Sequence, residues 1–222
     1  MDQLGMGTSR ENVYLVRAER PVPVAEALRM APALPVNLFR VRPRDGALAI
    51  PTGQLRPWLL AQGMGGESIE ALLAPYLAWE ETFENLVVNA GLDDALDKHL
   101  KGSAYTAAWY VGLTDGTPTP AAGDTMASHG GWTEVTAYDA GARPTLTLGT
   151  VSGQSVDNSA SPAAFTISTD NTTIGGAFLA SNSTKGGTSG TLYGVGAFSG
   201  GDKTLDDNDT LNVTVTCTAA AS

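Results

Sequence analysis

The alternation of apolar and polar positions is clearest near the end of the chain. In "TLNVTVTCT", Leu211, Val213, Val215 and Cys217 alternate with Thr210, Asn212, Thr214 and Thr216, which predicts a strand with one apolar face. From Gly102 onward, "AAWYVGL", "WTEVTAY", "RPTLTLGTVSG", "AAFTIST", "TIGGAFLAS" and "GTLYGVGAF" also read as short strands separated by Gly, Ser, Thr and Asn clusters. Closely spaced strands with no helical run between them predict an antiparallel β-sandwich or jelly-roll-like domain over residues 102–222. The composition break at Gly102 leads us to expect that this segment folds alone.

Upstream the period changes. Ile69, Leu72, Leu73 and Leu77, then Phe83, Leu86, Val87 and Ala90, recur near the 3.6-residue repeat of a helix. A helical connector is predicted over residues 67–101, split at Pro75 and again at Gly91. Asp93 and Asp94 lie near the start of its last helix and Lys98, His99 and Lys101 near its end, matching the helix dipole. "AQGMGG", residues 61–66, reads as a linker.

Residues 1–66 read as an N-terminal docking arm with a small β segment. "ENVYLVRAER" predicts a strand with Val13, Leu15 and Ala18 on one side, and "VAEALRMA" two helical turns. The runs around Asp45-Gly46 predict a β-hairpin. Seven prolines between Pro21 and Pro57 argue against long helices here.

Charge sharpens this division. The net charge is −10, yet residues 1–60 hold eight arginines against five acids, whereas residues 102–222 hold three basic groups against ten acids. An acidic second half argues against a nucleic-acid partner, which demands clustered basic groups. The arginines Arg40, Arg42 and Arg44 are the candidate partner-binding residues, suited to an acidic protein surface. No apolar run approaches the roughly 18 residues that span a bilayer, so no membrane partner is expected. The opening "MDQLGMGTSREN" lacks a basic stretch followed by an apolar core, so no signal peptide is expected. The lone Cys217 permits no internal disulfide.

Candidate chemistry is sparse. "ASHGGWTE", Ala127–Glu134, places Ser128 beside His129, but neighbours on an extended chain point apart and no G-x-S-x-G elbow exists. A turn anchored by Trp132 explains the stretch better than a catalytic loop. "LDDNDTL", Leu205–Leu211, lacks the spacing of a calcium loop and reads as a strand-connecting turn. "STKGGTSG", Ser183–Gly190, lacks the order of a phosphate loop and reads as a hairpin loop. The sequons at Asn171, Asn182, Asn208 and Asn212 have no secretory context. No catalytic residue, metal ligand or cofactor is nominated. Trp109, Tyr110, Trp132, Tyr138 and Tyr193 are candidates for stacking on sugars, although aromatics at alternate strand positions more often fill cores.

The segments "ENLVVNAGLDDALDKHL", "AAWYVGLTDG", "AAGDTMASHGGWTEVTAY", "SVDNSASPAAFTI", "IGGAFLASNSTKGGTSGTLYGVGAFSGGD" and "DTLNVTVT" resemble, in the same order, small virion proteins of tailed bacteriophages. The resemblance covers about residues 85–222. It implies a non-enzymatic structural role in the virion, as a head-decoration, head-fibre, neck- or tail-associated protein assembled in the host cytoplasm. Expected partners are other virion proteins of the capsid, neck or tail, and further copies of the chain in a homo-oligomer. The alternative is a receptor-binding tail module that recognises host surface glycan.

Overall fold

The computed structural model describes residues 8–9, 12–42, 45–99, 101–102, 104, 108–218 and 220–221. Strand outweighs helix, 35% against 21%, so the protein is mainly β, as the alternation predicts. In chain order the strands are β1 (Thr8–Ser9), β2 (Asn12–Glu19), β3 (Val22–Pro23), β4 (Arg40–Val41), β5 (Leu48–Ile50), β6 (Leu77–Glu84), β7 (Leu86–Val87) and β8 (Tyr110–Thr114). They continue as β9 (Ser155–Asp157), β10 (Ala163–Thr166), β11 (Thr172–Ile174), β12 (Gly176–Ala180), β13 (Leu192–Ala197), β14 (Lys203–Leu205), β15 (Thr210–Thr218) and β16 (Ala220–Ala221). The helices are α1 (Val24–Met30), α2 (Thr52–Ala61), α3 (Gly66–Leu73) and α4 (Asn89–His99).

Two antiparallel sheets share the main core. One runs β10-β15-β2-β6, with β9 also pairing β15; the other runs β7-β13-β12-β8. Along β15, Leu211, Val213 and Val215 are fully buried while Asn212, Thr214 and Thr216 are half-exposed. Tyr14, Val16 and Ala18 of β2 add to the same core, and Val111, Leu113, Ala177 and Leu179 enter it from the opposite sheet. Face-to-face packing of this kind is consistent with a β-sandwich. Fully burying each large apolar side chain contributes about 1.5–3 kcal/mol.

β12 is buried along its whole length. Ala177 and Leu179 face the main core, whereas Phe178 and Ala180 join Val88, Met126, Trp132, Leu192 and Val195 in a second cluster. This explains why "GAFLA" is apolar at every position. Gly112 of β8 lies directly across from Phe178. A Cβ at Gly112 would sit 2.1 Å from that ring, so glycine is what lets the ring lie down over its neighbour.

A smaller unit covers residues 22–76. Its sheet, ordered β3-β5-β4, packs with α1, α2 and α3 around Val22, Ala27, Leu34, Ile50, Leu55, Leu59, Ile69 and Leu73. The Asp45-Gly46 hairpin forms as predicted: the Arg42 amide donates to the Ala47 carbonyl at 2.8 Å and the Gly46 amide to the Arg42 carbonyl at 2.8 Å. The two turns predicted at "VAEALRMA" are α1.

Four expectations are corrected. Residues 12–19 are not part of a separate arm. β2 lies between β15 and β6, pairing with β15 over eight residues from Thr210↔Glu19 to Cys217↔Asn12. Its inward face is Tyr14, Val16 and Ala18, with Val13 and Leu15 half-exposed, because register with β15 sets which side faces the core. Within 67–101, "LAWEETFE" forms β6 instead of helix, because pairing with β2 from Glu84↔Val13 to Leu77↔Glu19 overrides the local period. Gly91 does not divide a helix but lies inside α4. A Cβ there would meet the Tyr193 carbonyl oxygen at 2.3 Å, so α4 approaches β13 only through glycine.

The fourth correction concerns "WTEVTAY" and "RPTLTLGTVSG", which make isolated bridges but no strand; the prolines, as expected, leave only short helices, seven residues in α1 and ten in α2. Pro23 and Pro51 occupy the positions just before α1 and α2 with φ of −54° and −56°. The Pro51 carbonyl accepts from the Gln54 and Leu55 amides at 2.9 and 3.0 Å. Proline suits that site because its ring presets φ at the helix entrance. "AQGMGG" spans the short turn between α2 and α3.

Candidate functional site

"ASHGGWTE" is a turn followed by an anchored aromatic. The Ser128 amide donates to Thr125 Oγ1 at 3.0 Å, and the Thr125 amide donates to the Ser128 carbonyl at 2.9 Å. Trp132 is 7% exposed and packs on Phe178 with ring centroids 5.0 Å apart. The His129 ring stacks on Trp132 at 3.6 Å with the planes within 10°. The Thr133 amide donates to Asp115 Oδ1 at 2.8 Å. His129 Nδ1 and Trp132 Nε1 are buried without a hydrogen-bond partner.

Arg143 and Glu134 fix the second wall of the site. Arg143 Nε donates to Glu134 Oε1 at 2.8 Å and Nη2 to Glu134 Oε2 at 2.7 Å, a two-pronged pair. Nη1 and Nη2 also donate to the carbonyls of Asn182 and Gly187, both at 2.7 Å. The Gly186 amide donates to Glu134 Oε2 at 2.8 Å, and the guanidinium lies 5.2 Å from the Phe178 ring centre. Both side chains are almost wholly buried, where a charge is tolerated only if paired and hydrogen-bonded. The pair therefore ties Glu134, which bridges to Thr114 of β8, to the β12–β13 loop. That loop is the predicted hairpin loop "STKGGTSG", flanked by antiparallel strands.

Between the two walls lies an open cleft of about 500 Å³, lined by Met126–His129, Trp132–Glu134 and Gly186–Thr188. Sequence reasoning missed the Arg143–Glu134 pair. A signal was present, since these are the single arginine and the single glutamate of residues 102–222. A lone Arg and a lone Glu amid Gly, Ser and Thr are natural partners.

Of the three nominated arginines, Arg40 and Arg42 are engaged within the chain. Arg40 Nη1 donates to the carbonyls of Asn37 and Phe39 at 2.7 and 3.1 Å. Arg42 pairs with Asp45 at 3.2 Å. Arg44 lies outside the described residues. Arg42 and Arg20 also line a cavity of about 170 Å³ with Asp170, Asp206, Asp207 and Asp209, so acids of the same chain face Arg42. Burial raises the Asp207 carboxyl above its ordinary value, reinforced by Asp170 and Asp139. Burial likewise raises Asp209, against the pull of the Asp206 amide and of Arg20. "LDDNDTL" is the turn that was predicted: the Asp209 amide donates to the Asp206 carbonyl at 3.0 Å, and Asn208 has φ of 67°.

Other N-terminal arginines join secondary-structure elements. Arg56 pairs with the buried Glu19 at 2.6 Å and with Glu70. Arg17 pairs with Glu70 at 3.0 Å and with Glu80 at 2.8 Å. These bridges connect β2 and β6 to α2 and α3. Among the aromatics, Trp132 and Tyr138 are buried, and Trp109 and Tyr193 pack edge-to-face at 5.1 Å against the core margin. They are packing residues first.

Among the described residues, no group of three or more His, Cys, Asp or Glu side chains is placed to hold a metal ion, and no helix is long and apolar enough to cross a membrane. The side chain of His99 lies outside the described residues. Compared with known proteins, the chain matches no family model, no curated protein and no solved structure.

Proposed function

We propose that this chain is a non-enzymatic structural protein of a tailed-bacteriophage virion, attached to the head, neck or tail through its smaller unit and displaying the β core outward. The observation that carries the reading is the outer face of the β4–β5 hairpin. Val41 and Leu48 are direct cross-strand partners, 61% and 50% exposed, and the preceding Val36 is 79% exposed. Aliphatic side chains paired on a short sheet and open to solvent suit burial by another protein. Arg40 and Arg42, on either side of Val41, are engaged within the chain, so the aliphatic side chains are what the hairpin offers a partner. The collinear likeness of residues 85–222 to phage virion proteins supplies the setting.

The partner surface therefore differs from an extended basic arm. Residues 12–19 are committed to the main sheet, so attachment falls to residues 22–76. Replacing Val41 and Leu48 together with Asp tests this reading. The variant is expected to stay folded, because both side chains face water, and to be missing from purified particles. Incorporation of that variant at wild-type copy number would remove the hairpin from the attachment surface. Finding no wild-type chain in purified virions would remove the virion role itself.

A further inference from the structure

We infer that the cleft between the 126–134 turn and the β12–β13 loop is a binding site for a neutral pyranose sugar. Three features of the site converge on that ligand class.

The first is that its walls are held in place. One guanidinium bonds Glu134, Asn182 and Gly187, and the Glu134 carboxylate also takes the Gly186 amide. Replacing such a pair by apolar packing would serve stability as well or better. What a buried ion pair adds here is a fixed distance between two surface loops. Loops pinned on a rigid β scaffold are where binding sites form, and fixed walls lower the ordering cost of binding.

The second is the charge of the cleft. Its one carboxylate side chain, that of Glu134, is 7% exposed and engaged by Arg143 and Gly186. No charge is left over to select a charged ligand, and the net charge of −10 repels anions at a distance. The remaining polar surface is hydroxyl and amide: Ser128, Thr133 and Thr188 are all exposed. Such groups match a polyol.

The third is a flat face held rigid from behind. His129 is half-exposed and is backed by Trp132, so its imidazole forms a stiffened platform on which the C–H face of a sugar ring can lie. The buried Trp132 thus supports the site from behind, and the stacking face belongs to His129.

The test is a titration of the ¹⁵N-labelled full chain, followed by NMR at the Trp132 indole N–H and the amides of residues 126–134 and 186–188. The probes are glucose, galactose, mannose, rhamnose and N-acetylglucosamine, with glucuronate and glucosamine as charged comparators. At least one neutral sugar is expected to shift these signals with a Kd in the range of about 1–50 mM, as befits a single residue on a shallow site. His129→Ala is expected to weaken that binding about tenfold, and Thr188→Val to weaken it less, with signals elsewhere unchanged. The di- and trisaccharides of the binding sugar then separate two sources of the same chemistry. Tighter binding with length marks a polysaccharide chain, and unchanged binding marks a single sugar; either outcome supports the site. No shift with any neutral sugar at about 50 mM, shifts confined to other residues, preference for a charged comparator, or undiminished binding by a folded His129→Ala would each overturn it.

Discussion

The two cores of the molecule are built in opposite ways. The core of the smaller unit comes from one continuous stretch, Val22 to Leu73. The main core joins residues from nearly the whole chain: Tyr14 and Val16 from its beginning, Phe83 from its middle and Val213 and Val215 from its end. A core made of near neighbours closes small loops, whereas the main core forms only when distant strands meet. Each should therefore fail differently when cut.

The largest effect is expected from cutting the chain at residue 102. The fragment 102–222 keeps β15 but loses β2 and β6, and with them Tyr14, Val16, Ala18 and Phe83 of the core. Contrary to the expectation from composition, it should not fold alone. Circular dichroism and urea titration of the fragment should show no cooperative transition. A cooperative transition with a native-like strand spectrum would show that the C-terminal strands are self-sufficient.

Single substitutions sharpen the contrast. Glu134→Ala leaves Arg143 buried and unpaired, and should cost roughly 3–5 kcal/mol of global stability. Leu59→Ala in the local core should cost about 2–5 kcal/mol, but chiefly by freeing α2 and α3. Amide hydrogen exchange should then show lost protection over residues 52–73 with β12 and β15 still protected. Equal loss of protection in both regions would mean that the cores unfold as one.

A smaller effect is expected at Gly91→Ala. In an exposed helix this change stabilises by about 1 kcal/mol, yet the added methyl would press on the Tyr193 carbonyl. The sign should reverse, to a loss of about 1–3 kcal/mol, read from the denaturation midpoint. A gain in stability would show that α4 is free to move off β13.

The smallest effect is a matter of pH. Burial alone would raise the Glu81 carboxyl, but the Gly200 amide, the Ser199 hydroxyl and Lys203 outweigh it and hold it below its ordinary value. A depressed carboxyl contributes stability above its unfolded value and loses it as pH falls through the folded one. Glu81 joins β6 to the β13–β14 turn, so Glu81→Gln should flatten the loss of stability below about pH 4.5. Asp207 and Asp209 have the opposite sign: their raised carboxyls favour the fold at low pH and lose that contribution as pH rises. Glu81→Gln should therefore uncover a shallower acid limb, measured as the melting temperature between about pH 3 and 6. An unchanged limb would assign acid sensitivity elsewhere.

The sequence by itself determined what depends on near neighbours. The alternation of β15, the mainly β composition, the Asp45-Gly46 hairpin, the two turns of α1 and the turn characters of "ASHGGWTE" and "LDDNDTL" are all local properties of a few residues. Tertiary structure decided what depends on distant partners. β6 carries a helix-like spacing of apolar residues but is a strand because β2 offers it a ladder. Gly91 would weaken an isolated helix, yet it sits within α4, where its missing side chain lets the helix approach Tyr193. The same rule divides the cleft. Trp132 was legible as an anchor, because a large aromatic after Gly130-Gly131 has few other uses. The site's second wall was not, because Glu134, Arg143, Asn182 and Gly187 are scattered along the chain. They meet only when burial forces the one arginine of that region to find the one glutamate and two carbonyls that satisfy it.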